Sequence, residues 1–240
     1  MRNRPIRAPF FEIGPKAYVY GEDVFILAKH ADHLSAKYGV DIIFTAPYTE
    51  IYRIVQETEH IYAFAPHMDP IRPGRGITKI LPEELKAIGA SGVMLNHAEH
   101  PLTYKTLQET VRRAKELGLM TAICADSVAE AKAVAQLGPT LIVAEPSELI
   151  GTGKISDLSY ITESTEAIKR VDPSILVLQA AGVKTSEDVF RNIYAGADAS
   201  GTTSGIVKAE QPLVVMEQMI CAVREAYDKR QKDMKKEEQR

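Results

Sequence analysis

The sequence predicts a single-domain α/β protein of the (β/α)8 barrel class, and three observations carry that prediction. Eight short apolar runs alternate with longer segments of helical periodicity along the 240 residues. The runs are continuous and rich in Ile, Val, Leu and Ala rather than alternating, the pattern of parallel strands covered on both faces. Eight strand–helix repeats in about 250 residues is the span of such a barrel. A doubly wound sheet is the competing class, but no G-x-G-x-x-G turn follows the first apolar run.

Taken in chain order, the strands are expected at residues 9–13, 40–46, 61–65, 91–96, 120–125, 140–144, 174–179 and 197–201. The first clear helix, Glu22–Tyr38, carries Val24, Leu27, Ala28, Ala31 and Leu34 as an i, i+3, i+4 stripe. Residues 107–117 repeat Leu107, Val111 and Ala114, which places Arg112, Arg113 and Lys115 on the outside. Residues 127–137 start on a serine cap, Ser127, and repeat Val128, Ala131 and Ala135. Helical patterns at 186–195 and 212–229 complete the set. Residues 228–240, DKRQKDMKKEEQR, read as a charged, solvated extension of the last helix. No Pro/Ser/Gly-rich linker interrupts the chain, so residues 1–240 are read as one domain.

Composition narrows the class of partner. With 45% hydrophobic and 25% charged residues and a net charge of −3, the chain can bury one large core. No stretch reaches the roughly 20 apolar residues of a membrane helix, and MRNRPIRAPFF lacks the apolar centre of a signal peptide. The acidic balance argues against nucleic acid as a partner. Cys124 and Cys221 are read as buried free thiols rather than a disulfide. These readings together predict a cytoplasmic protein.

Chemistry in a barrel of this class belongs at the C-terminal ends of the strands. The sixth run, LIVA, delivers one carboxylate, Glu145, then Pro146, then a loop rich in glycine and threonine. A carboxylate desolvated by a closing loop gains basicity and can take a carbon-bound proton. A helix cap or ion-pair role is the plainer reading of an isolated Glu, but a cap needs no long loop behind it. His97 ends the fourth run, and if Ala98-Glu99 open a helix, that N-terminus would keep the imidazole neutral and able to donate to a carbonyl oxygen. His97, Glu99 and His100 do not have the i, i+4 spacing of a zinc helix, so no metal and no cofactor are expected. Lys16, two residues past Gly14 at the end of the first run, would supply a fixed cation. Gly151-Thr152-Gly153, Ala181-Gly182 and Thr203-Ser204-Gly205 lack bulk, and their bare amides suit an oxyanion such as phosphate.

The motifs VAEPSELIGTG, GVMLNHAEH, QAAGVKTSEDV and ASGTTSGIVKAEQP resemble those of the triosephosphate isomerase family, closest to its compact archaeal members, over essentially the whole chain. The resemblance implies isomerisation of a small phosphorylated sugar, glyceraldehyde 3-phosphate to dihydroxyacetone phosphate, through an enediolate and with no cofactor. It places the base on Glu145, the electrophile on His97 and a neighbouring carboxylate on Glu99. Phosphate contacts fall on Ile150, Gly151, Gly182, Thr203 and Ser204, with Gly205 in the same loop. The pairing of a glutamate base with a neutral histidine is known for this family rather than read from these residues. A homodimer or homotetramer is also implied. One departure stands out: the family's first strand ends in Asn-x-Lys, whereas this chain reads Gly14-Pro15-Lys16. Gly14 adjoins the substrate position without a side chain, so the sugar stays open. An isomerase of another phosphoketose, such as erythrulose phosphate, and a non-catalytic barrel that binds a phosphometabolite remain the alternatives.

Overall fold

The computed structural model describes residues 4–150, 152 and 154–239. Eight parallel strands close into a barrel in sequence order. They are β1 (Phe10–Ile13), β2 (Asp41–Thr45), β3 (Ile61–Ala65), β4 (Gly92–Leu95), β5 (Met120–Ala125), β6 (Leu141–Ala144), β7 (Leu176–Gln179) and β8 (Ala199–Thr202). The ring is completed by β8 against β1, with Phe10 opposite Ala199 and Ile13 opposite Thr202. Seven of the eight predicted runs contain their strands, trimmed by at most two residues at an end, and β8 runs one residue past its predicted end, to Thr202.

Helices surround the ring: α1 (Glu22–Tyr38), α2 (Tyr48–Glu57), α3 (Pro82–Ala87), α4 (Tyr104–Glu116), α5 (Val128–Ala135), α6 (Leu158–Val171), α7 (Ser186–Tyr194), α8 (Ser204–Val207) and α9 (Pro212–Glu238). Pleating divides the core in two. Phe11, Ile13, Ile42, Phe44, Ala63, Ala65, Val93, Leu95, Ile123, Ile142 and Val177 face outward and meet the apolar stripes of the helices. Phe10, Ile43, Tyr62, Phe64, Met94, Ala122, Cys124, Leu141, Val143, Leu178 and Ala199 fill the barrel interior. The two-residue period of a strand therefore places Glu12 and Gly14 on the inward face with Phe10, and Gly201 with Ala199.

One surface expectation is overturned. Arg113 does not face solvent: its side chain is 2% exposed. Its guanidinium donates to Glu83 at 2.5 Å, to Glu116 at 2.6 Å and to the Ile71 carbonyl at 3.1 Å. The helical period put Arg113 beside Arg112, but the loop after β3 folds over that side of α4 and converts it into an interior. The C-terminal extension continues α9 to Glu238 and is largely exposed, yet it is anchored at two points. Arg230 donates to the Ile193 and Ala197 carbonyls at the end of α7, and Tyr194 donates to Asp233 at 3.0 Å. Cys221 is half-buried rather than buried, its thiol beside Glu225 at 3.5 Å, while Cys124 is buried, and both are free.

Removing Arg113 opens a void and leaves Glu83 without its ion-pair partner, while Arg72 and Arg112 still hold Glu116. Arg113→Met is expected to lower unfolding free energy by about 2–4 kcal/mol in urea melts while leaving activity per folded molecule unchanged.

Candidate active site

The C-terminal strand ends share one rim, and a cavity of about 850 Å³ opens there, lined by residues from all eight strands or the loops that follow them. Three predicted residues, Lys16, His97 and Glu145, all line it. Pro15 precedes Lys16, which lies in the left-handed region at φ 49°, a conformation costing about 1–3 kcal/mol for a residue with a side chain. The turn aims the ammonium across the cavity to Glu99, with Nζ 2.7 Å from Oε1. Hydrogen bonding and charge from Lys16 hold the Glu99 carboxyl below the usual carboxylate range.

His97 reaches its neutral state by a different route from the one expected. Residues 97–100 form a turn, and the helix starts only at Tyr104, so no helix N-terminus meets the imidazole. Instead the Glu99 backbone N–H donates to His97 Nδ1 at 3.1 Å. An amide donor there requires a bare Nδ1, which leaves the proton on Nε2 as a donor. Desolvation by burial, and then the Lys16 cation, push the imidazole pKa down. Asn96, at φ 58°, secures this turn: its side-chain amide donates to the Cys124 carbonyl and Glu130, and its Oδ1 accepts from the Leu102 N–H.

Glu145 follows β6 directly, its N–H bonded to the Ala125 carbonyl at 3.0 Å. Its carboxylate has no hydrogen-bond partner among the described residues. Desolvation raises its pKa, Lys16 opposes the rise and Glu99 adds to it. A half-buried carboxylate without donors, across from a fixed cation, is suited to accept a proton. Behind it, burial and the Glu145 and Glu12 charges push the Cys124 thiol well up, so it stays protonated.

The loops after β6, β7 and β8 meet around the opposite side of the cavity. Gly182 has φ 69°, and a Cβ on it would lie 1.9 Å from the Lys154 carbonyl oxygen, so the end of the β6 loop rests on bare backbone. The amides of Gly182, Thr203 and Ser204 have no partner among the described residues and border the cavity, as an oxyanion site needs. Two expected contacts differ. Ile150 lines the cavity, but its N–H donates to the Ser147 carbonyl within the short 3-10 turn Ser147–Leu149. The Gly205 N–H donates to Thr202 Oγ1 at 3.2 Å, and Gly205 packs between two loops rather than facing the cavity. Gly151 lies outside the described residues.

Sequence reasoning missed Glu12. This carboxylic acid sits in the barrel interior, 7% exposed, and accepts a 2.6 Å hydrogen bond from Thr45 Oγ1. Burial pushes its pKa up to about 7 against the hydrogen bond, with Glu145 raising it further and Lys16 lowering it. The signal was present: a lone charge inside FFEI, in phase with Gly14.

A sequence model described as triosephosphate isomerase matches residues 16–220. The chain belongs to the triosephosphate isomerase family. It is 36% identical over 230 residues to the triosephosphate isomerase of Sulfurisphaera tokodaii, covering 94% of this chain and 100% of that protein. The Sulfolobus acidocaldarius protein of the same name is also 36% identical, with 94% and 99% covered. That of Methanosarcina mazei is 32% identical over 221 residues, with 90% and 99% covered. The family match spans Lys16, His97, Glu99, Glu145 and the three small-residue loops; Glu12 and Gly14 precede it.

Two outcomes test this geometry. Gly182→Ala must both enter a left-handed backbone and displace the Lys154 carbonyl, so affinity for inorganic phosphate should fall about tenfold or more by calorimetry. For Glu12, a folded-state pKa of about 7 against 4.5 means the native protein keeps a proton that the unfolded chain releases. Its contribution is full below the unfolded value and is lost as pH rises toward the folded one. Relative to wild type, Glu12→Gln should therefore gain up to about 3 kcal/mol of stability between about pH 5 and about pH 8, read from urea melts.

Proposed function

We propose that this chain interconverts glyceraldehyde 3-phosphate and dihydroxyacetone phosphate, an aldose–ketose isomerisation by way of an enediolate. The observation that carries it is the trio around one cavity: an undonated carboxylate at Glu145, a neutral Nε2–H donor at His97 and a cation at Lys16. Family membership supplies the substrate class, a small phosphorylated sugar. The phosphate end is held by the Gly182, Thr203 and Ser204 amides. Glu145 takes a proton from the carbon beside the carbonyl, and electrons move into that carbonyl as the enediolate forms. His97 Nε2–H donates to the oxygen where negative charge develops, and Lys16 offsets the remainder. Glu145 then returns its proton to the neighbouring carbon, while the oxygen-bound protons exchange at His97. No net atom or electron is gained.

The residue roles are proposals that mutation can separate. Glu145→Gln keeps the shape and removes the base, so kcat should fall about 10²–10⁴-fold with KM little changed. Deuterium uptake from solvent into dihydroxyacetone phosphate should fall in parallel. Near-wild-type turnover by this variant would end the assignment.

Assembly as a homodimer or homotetramer is part of the same proposal. It is supported by family membership and by Ile77, an aliphatic side chain 103% exposed in the loop between β3 and α3. Light scattering that finds a monomer would overturn it. A cytoplasmic location is proposed with it, in keeping with two free thiols. No described helix is long and apolar enough to cross a membrane.

A further inference from the structure

The proposed trio leaves Glu12, an ionisable group lining the same cavity, without a task. Glu12 lies on the inward face of β1, and two glycines make room for it. A Cβ built on Gly14 would stand 2.9 Å from Glu12 Oε1, and one on Gly201 would stand 3.0 Å from Glu12 Cβ and 3.1 Å from Oε2. Both positions must be nearly bare for this carboxyl to rise between β2 and β8 into the cavity, which it lines. The Thr45 hydroxyl donates to Oε1. Oε2 has no partner among the described residues. A neutral carboxyl so held carries its proton on Oε2, as a donor with nothing in the protein to receive it.

We propose that Glu12 is a substrate-contacting residue, whose Oε2–H donates to a carbon-bound oxygen of the bound triose phosphate and so replaces the polar side chain that Gly14 lacks. The assignment rests on the isomerase reading and adds a specificity-determining group to it. The surroundings favour the neutral form. Around Glu12 stand Glu145 from β6, Cys124 from β5, the Thr45 hydroxyl from β2 and Lys16 from the loop after β1. Two carboxylates beside a single cation cannot both ionise cheaply, so the proton kept on Glu12 leaves Glu145 to serve as the charged base. Burial already raises the Glu12 pKa to the neutral range. The charge on this residue is thereby tied to the working pH, and above neutrality the donor becomes a second anion facing the substrate.

The test compares Glu12→Ala, Glu12→Gln and the double variant Glu12→Ala/Gly14→Asn. Steady-state isomerisation is measured across pH, with calorimetric binding of dihydroxyacetone phosphate and of inorganic phosphate. Loss of one donor to a substrate oxygen predicts about a tenfold or greater fall in kcat/KM for Glu12→Ala. Dihydroxyacetone phosphate affinity should fall with it, and inorganic phosphate affinity should stay within about twofold. Glu12→Gln keeps a neutral donor and should retain activity while losing the alkaline decline near neutrality. The double variant moves a neutral donor onto the neighbouring strand position, where Glu12 no longer blocks the new Cβ, and should recover most of the lost kcat/KM. A purely structural Glu12 would change melting temperature alone, with kcat/KM and its pH profile as in wild type; that result overturns the proposal and leaves the isomerase reading intact. If Glu12→Ala fails to fold, an unchanged pH profile in Glu12→Gln overturns it equally. If the wild type turns over no triose phosphate, the isomerase reading falls. The contrast between dihydroxyacetone phosphate and inorganic phosphate binding in Glu12→Gln and Glu12→Ala then decides Glu12 on its own.

Discussion

The ladder between β8 and β1, from Phe10 opposite Ala199 to Ile13 opposite Thr202, turns an open sheet into a ring. Closure without edges means that every strand has two neighbours and only two directions for its side chains. Parallel order then puts all eight C-terminal ends on one rim, so residues as distant in sequence as Lys16, His97, Glu145 and Ser204 surround a single cavity. The pleat does the finer sorting. One phase supplies the apolar face for the helices, and the other fills the barrel and, at its last layer, becomes the floor of the site.

On that floor the balance of charge sets the chemistry. One ammonium, Lys16, stands among three carboxyl groups, and each responds differently to the same field. Glu99, exposed and bonded to Lys16, is held ionised. Glu145, screened from water and undonated, becomes more basic while remaining close to the cation. Glu12, buried on the inward face of β1, is raised furthest. Burial decides this ranking more than distance, because desolvation penalises the charged form before any neighbour can compensate it. The neutral histidine belongs to the same scheme: its Nδ1 is occupied by an amide, and the nearby ammonium disfavours a second cation.

Much of this was legible along the chain because strands and rim residues follow one another locally. Continuous apolar runs marked each strand, and the polar residue ending a run marked the rim; Glu145 after LIVA and His97 after GVMLN needed no tertiary knowledge. The helix α3 is six residues long, too short to show an apolar period, whereas α2 does carry one, with Ile51 and Ile54 buried. Arg113 was misplaced because helical phase cannot register a loop folding across a polar face. The partners of the Ile150 and Gly205 amides were not foreseeable for a related reason. Whether an N–H is free depends on a carbonyl or hydroxyl brought near by a turn, here those of Ser147 and Thr202.

By itself the sequence determined the number of strands, their parallel order and the residue types at the rim, because hydrophobic period and strand ends are properties of short segments. It also carried the family's motifs and so the class of reaction. Only the tertiary structure decided which groups share a field and which amides stay open. Glu12 shows the difference most sharply. In the chain it is one charge in an apolar run; in the barrel, Gly14 and Gly201 flank it from two strands nearly two hundred residues apart, and the enclosure changes its protonation. Proximity of that kind arises only when the ring closes.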